Sequence, residues 1–120
     1  MKTIILADDE TNLRLLIHTT LDDPGYRILE AADGAAALAL TRKEQPDLLV
    51  TDWTMPVMSG IEVVQALRQD PTAAHIPIIL LTARGQDMDK LHGVTLGANA
   101  YLVKPFSPLE LLEKVQEILG

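Results

Sequence analysis

Thr3-Ile4-Ile5-Leu6-Ala7-Asp8-Asp9-Glu10, near the start of the chain, decides the fold. Thr3 to Ala7 is a short apolar run with β-branched residues, which reads as a buried strand. Three acids then cut the run off as a polar loop. From Thr11 to Leu21 the apolar residues return at helical spacing, as Leu13, Leu16, Ile17 and Leu21. Asp23-Pro24-Gly25 stops that helix. A strand, a polar loop and a helix form one unit, and the unit recurs.

Tyr26 to Glu30 alternates and suits a strand near a sheet edge. Asp33-Gly34 opens an Ala-rich helix that runs to Lys43 and closes at Gln45-Pro46. Asp47 to Thr51 is a third strand, and Asp52 to Gly60 is a loop. Ile61, Val64, Leu67 and Arg68 mark a third helix, ended by Asp70-Pro71. Ile76 to Leu81 is the most apolar strand and is expected at the centre of the sheet. Gly85 to Leu96 reads as a polar helix with Gly93 inside it, closed by Gly97. Ala100 to Val103 is a fifth strand. Ser107 caps a last helix, with Pro108 in its first turn and Leu109, Leu112, Val115 and Leu119 on one face.

Five strand–helix units with short loops predict an α/β protein: a parallel sheet with helices on both faces, joined by right-handed crossovers. The 120 residues are one domain by length, spanning 1–120, and enough to bury a single core. With no cysteine there is neither a disulfide scaffold nor a thiolate metal site, and a reducing compartment fits. Ten Lys and Arg against seventeen Asp and Glu give a net charge of −7, which argues against direct nucleic-acid binding. Asp8-Asp9-Glu10 interrupts the first apolar run too early for a signal peptide or a membrane span. A cytoplasmic domain with no membrane insertion is expected.

In open parallel sheets, ligands bind beyond the carboxyl ends of the strands. The first strand delivers Asp8 and Asp9 there, the third Asp52, the fourth Thr82 and the fifth Lys104. Alone, each has an ordinary reading: a helix cap, a loop Asp bonded to its own backbone, a surface Lys. Their recurrence at successive strand ends is far more specific. Two unit charges ~4 Å apart repel by roughly 4 kcal/mol at an effective dielectric of about 20. Lys104 offsets one of the three carboxylates, and a divalent cation would cancel the remainder. An all-oxygen ligand set without histidine or cysteine favours Mg²⁺, with Mn²⁺ as the alternative. A carboxylate beside such an ion and a Lys suits a phosphoryl acceptor.

These residues resemble the receiver domain of two-component response regulators over essentially the whole chain. The matching segments are Ile5 to Glu10, Asp47-Leu48-Leu49-Val50-Thr51-Asp52-Trp53-Thr54-Met55-Pro56, Ile78 to Ala83, and Ala100-Tyr101-Leu102-Val103-Lys104-Pro105-Phe106. The resemblance implies a flavodoxin-like (βα)5 three-layer sandwich with sheet order 2-1-3-4-5. It implies that Asp52 takes a phosphoryl group from a sensor histidine kinase or a phosphotransfer protein. Asp9 would hold Mg²⁺ directly, Asp8 largely through water, and the Thr54 backbone carbonyl would be a further ligand beside Asp52. Thr82 and Lys104 would each contact a phosphoryl oxygen, and Tyr101 would move inward with Thr82. The Lys104–Pro105 peptide would be cis.

The domain would then be a switch and not an enzyme that turns over a metabolite. Its output face would be formed by the fourth and fifth predicted helices and the fifth strand. That face would control a downstream protein, a fused output domain or a second copy of the chain. Trp53, Val57 and Ser59 depart from the family's usual residues, Val57 standing where glycine is frequent. Thr54 and Arg84 flank the cleft mouth, where they either tune phosphoryl lifetime or are simply solvated. His18, His75 and His92 have no ligand spacing and are taken as surface or helix residues. Two rivals fit less well. A Mg²⁺-dependent aspartyl phosphatase generally wants an acid at the place of Thr54. A flavin carrier wants a Ser/Thr/Gly-rich loop where Asp8-Asp9-Glu10 stands.

Overall fold

A computed structural model describes residues 1–83 and 97–120 of the chain. The elements are β1 (Lys2–Ala7), α1 (Thr11–Thr20), β2 (Tyr26–Ala31), α2 (Gly34–Glu44), β3 (Leu48–Asp52), α3 (Gly60–Gln69), β4 (Ile78–Thr82), β5 (Ala100–Val103) and α4 (Pro108–Leu119). The polar helix expected over Gly85 to Leu96, with Arg84, His92 and Gly93, lies outside the described residues.

All strand pairs are parallel and the order is β2-β1-β3-β4-β5, as expected. The centre is β3 and not the more apolar β4. Apolar density reports burial on both faces, which β3 and β4 share, with every residue of each buried. It does not report position in the sheet.

Alternation along the strands divides the core in two. Ile5, Leu49, Ile78 and Leu80 pack with Ala37, Val63, Val64 and Leu67 of α2 and α3. Ile4, Leu6, Leu48, Val50, Ile79 and Leu81 pack with Ile17 and Leu21 at α1 and Leu111 and Val115 of α4. Two apolar positions differ from the sequence reading. Leu16 is 48% exposed and Leu109 64% exposed, whereas Ile17 is buried as expected and Leu111, outside the expected stripe, is buried too. Runs of adjacent leucines leave the buried stripe free to sit one residue either way, and packing against the sheet decides which.

The helix starts follow local chemistry. The Asp33 side chain accepts from the Ala36 N–H at the head of α2. Ser59 with Glu62, and Ser107 with Glu110, close reciprocal capping boxes at α3 and α4. Ser59, unusual against the family pattern, is therefore the cap that starts α3. Among the described residues no helix is long and apolar enough to cross a membrane.

Candidate functional site: an acidic cleft at the strand ends

Each site residue sits at the last strand pairing or one step beyond it, held by a neighbouring strand's backbone. The Asp8 N–H donates to the Ala31 carbonyl at 3.1 Å. The Trp53 N–H donates to the Leu81 carbonyl at 2.8 Å, and the Lys104 N–H to the Thr82 carbonyl at 2.7 Å. Asp52 is in register with Leu81, and Thr82 with Val103. The sheet ladder therefore sets the spacing of the cleft. The Lys104–Pro105 peptide is cis, as the resemblance implies.

Ligand oxygens of Asp8, Asp9 and Asp52 lie within 4.8 Å of one another. Lys104 Nζ is 3.0 Å from Asp52 Oδ1 and 3.7 Å from Asp8 Oδ2. Asp52 Oδ1 also accepts from the Trp53 N–H at 2.9 Å. Asp8 Oδ1 accepts from the Glu10 N–H at 2.8 Å. Asp8 Oδ2 is buried with no hydrogen-bond partner among the described residues, since Lys104 is too distant for one.

Burial pushes the Asp8 carboxyl above the usual carboxylate range, against the Glu10 N–H and Lys104. Burial also raises Asp52, and the Asp8 charge adds to it, against the bond from Lys104. Two half-compensated carboxylates and an uncommitted buried oxygen are a donor set that a hard cation fits. Asp9 is exposed at the cleft mouth and completes that set.

The β3–α3 loop roofs the site through two glycines. A Cβ on Gly60 would lie 2.0 Å from the Asp52 carbonyl oxygen, and one on Gly34 would lie 1.8 Å from the Met58 carbonyl oxygen. The Gly60 N–H donates to the Trp53 carbonyl at 2.7 Å. Thr54 is exposed in this loop, and Trp53 and Met55 turn into the core. Val57 has φ of 70° and is 82% exposed. A β-branched side chain is strained in that left-handed region, where glycine would be free.

Thr82 and Tyr101 belong to the opposite face of the sheet from Asp52. Thr82 follows Ile78 and Leu80 in the alternation, and Tyr101, in register with Leu80, packs against the same cluster. Thr82 Oγ1 and the Tyr101 hydroxyl are both buried without a hydrogen-bond partner among the described residues. His18 and His75 are not members of the carboxylate cluster's ligand set. His18 instead pairs with Glu30, at 2.6 Å. Arg14, Glu30 and Gly34 went unnoticed as site residues in the sequence. A mid-helix Arg and a strand Glu carry no local signal, whereas the Ser-Gly-Ile-Glu of Ser59 to Glu62 is a readable helix start.

A parallel five-stranded sheet of this order, with acids and a Lys at its carboxyl edge, defines a receiver-like fold and site. The sequence model of the response regulator receiver domain matches residues 4–116, and the chain belongs to that family. It is 42% identical over 118 residues to the phosphate regulon transcriptional regulatory protein PhoB of Pseudomonas aeruginosa, covering 98% of this chain and 52% of that protein. The chain spans about half the length of the curated relatives it matches. Among solved structures, the chemotaxis response regulator CheY4 of Vibrio cholerae superposes with a TM-score of 0.89 at 39% identity, over 99% of both chains. The receiver domain of a sensor histidine kinase from Pseudomonas aeruginosa gives 0.88 at 30% identity, over 99% of this chain and 98% of that one. That structure is described with a magnesium ion coordinated in its active site cleft.

Proposed function

We propose that this receiver domain is a phosphorylation-operated switch with Asp52 as its phosphoryl acceptor. The observation that carries the reading is the Asp52 carboxylate, ion-paired to Lys104 at 3.0 Å beside the uncommitted, buried Asp8 Oδ2. The donor is the phosphohistidine of a sensor kinase or phosphotransfer protein. An Asp52 oxygen forms a bond to phosphorus as the phosphorus–nitrogen bond breaks. The electron pair of that bond returns to the imidazole, which leaves as neutral histidine after taking up a proton. Lys104 neutralises one phosphoryl oxygen, and the Thr82 hydroxyl donates to another.

Asp8, Asp9, Asp52 and the Thr54 carbonyl would hold Mg²⁺, or Mn²⁺ in its place. The ion supplies neutralisation of the charge that collects on the phosphoryl oxygens. The new charge at Asp52 draws Thr82 across the sheet edge and leaves space for the Tyr101 ring, so the signal leaves through the β5 face. That face then controls a downstream protein, a fused output domain or a second copy of this chain. On this reading the domain forms and loses its own acyl phosphate but turns over no metabolite, and it works in the cytoplasm. The net charge of −7 argues against direct nucleic-acid contact by this domain.

The test is incubation with acetyl phosphate and Mg²⁺, followed by mass spectrometry. One added phosphoryl group mapping to Asp52, and none in Asp52→Asn, is expected. Modification of a histidine instead overturns the reading.

A further inference from the structure

Asp8 is tied at every polar atom but one. Its N–H donates to the Ala31 carbonyl, and its Oδ1 accepts from the Glu10 N–H. Its own carbonyl accepts from Arg14 Nη1 at 2.6 Å. Only Oδ2 remains, aimed to the Lys104 side of the cleft at 3.7 Å from Nζ. The donor to the carbonyl is itself held. Arg14 Nε donates to Glu30 Oε1 at 2.6 Å, and Glu30 Oε2 shares a hydrogen bond of 2.6 Å with His18 Nδ1. The Arg14 N–H donates to the Glu10 carbonyl at 3.0 Å, in the same loop. Glu30 and Ala31, adjacent on β2, thus grip the Asp8 peptide from two sides, one directly and one through Arg14.

Such a bridge needs a planar fork with separate N–H vectors, which Arg has and Lys lacks. It also occupies a cation that would otherwise be free to fall onto the acidic cluster. We propose that Arg14 is a positioning residue of the cation site: by bridging Glu30 and the Asp8 carbonyl it fixes Asp8 Oδ2 toward the cleft and tightens the hold on a divalent ion. This rests on the reading of the carboxylate cluster as a Mg²⁺ site. A purely electrostatic role would act with the opposite sign, since removing a cation beside three carboxylates strengthens cation binding.

The experiment is a Mg²⁺ titration of the whole chain, followed by the fluorescence of Trp53 and by calorimetry. Wild type, Arg14→Lys, Arg14→Ala and Glu30→Gln are compared, with urea midpoints measured without Mg²⁺. Both Arg14 variants are expected to bind about 10-fold more weakly, the usual scale for groups that orient a ligand, with Glu30→Gln shifted in the same direction but less. Arg14→Lys keeps the charge and the helix, so a folded variant is at hand even if Arg14→Ala is unstable. A lowered urea midpoint with Mg²⁺ affinity within about twofold of wild type would make the bridge merely structural and overturn the proposal. Tighter binding in Arg14→Ala with none lost in Arg14→Lys would overturn it too, in favour of charge alone. Failure of the wild type to respond to Mg²⁺ by either readout would remove the parent reading itself, and this proposal with it.

Discussion

The two halves of the strand-end cleft treat their polar atoms differently. On the β1–β3 side, Asp8 is bonded at its N–H, its carbonyl and one carboxylate oxygen, only Oδ2 is left open beside Lys104, and Asp52 is bonded to Lys104 and the Trp53 N–H. On the β4–β5 side, Thr82 Oγ1 and the Tyr101 hydroxyl are buried without partners among the described residues. An unmade hydrogen bond on a buried group costs about 1–3 kcal/mol. On the proposed function, the first half is held in place for the chemistry, and the second holds hydroxyls with no partner among the described residues, which a phosphoryl contact can draw into a new position by a few kcal/mol.

The largest expected effect tests the rigidity of the first half. Gly60→Ala places a methyl group 2.0 Å from the Asp52 carbonyl oxygen, where backbone must give way. We expect a loss of about 3 kcal/mol or more in urea denaturation, together with loss of phosphoryl acceptance. Wild-type stability in this variant would show that the roof over Asp52 is loose.

Next comes the charge balance of that half. Asp8 and Asp52 have raised carboxyl pKa values in the folded chain, chiefly through burial. The folded state therefore binds their protons more tightly than the unfolded state does. Stability is greatest with both protonated and is lost as pH rises through the folded pKa values. Without Mg²⁺, stability should fall from weakly acidic to neutral pH, and Asp8→Asn should flatten the fall. At neutral pH, Mg²⁺ at 100 times its Kd should restore about 2.7 kcal/mol. A Mg²⁺-independent urea midpoint would contradict this.

The second half should answer in the opposite sense. Thr82→Val removes a buried hydroxyl without a hydrogen-bond partner among the described residues, at nearly constant shape, so we expect a gain of up to about 1 kcal/mol in stability with phosphoryl acceptance retained. Tyr101→Phe should behave alike. Destabilisation of both would show that these hydroxyls are bonded in solution and that the halves do not differ. The smallest effect belongs to the roof: Val57→Gly should relieve about 1 kcal/mol of left-handed strain and leave Mg²⁺ affinity unchanged.

The contrast also explains what could be read without coordinates. Asp8, Asp52, Thr82 and Lys104 were legible because each ends an apolar run, and a strand's end is a fixed place in a parallel sheet. Sheet order followed from family resemblance and not from apolarity, which would have centred β4. Leu16 and Leu109 were misplaced because neighbouring leucines leave the helix stripe ambiguous by one residue. Arg14 and Glu30 were invisible. Their meaning lies in a contact between α1 and β2, sixteen residues apart in sequence, and a helical Arg otherwise reads as solvated.

The central claim is that one half of the cleft performs the chemistry and the other half carries the response. Hydrogen exchange of the whole chain, with and without beryllium fluoride and Mg²⁺ as a phosphoryl mimic, tests it most directly. Protection should change across β5 (Ala100–Val103) and be nearly unaltered in α2 (Gly34–Glu44), and the β5 change should be lost in Thr82→Val. A response confined to α2 with β5 silent, or a β5 response that survives in Thr82→Val, would contradict the account.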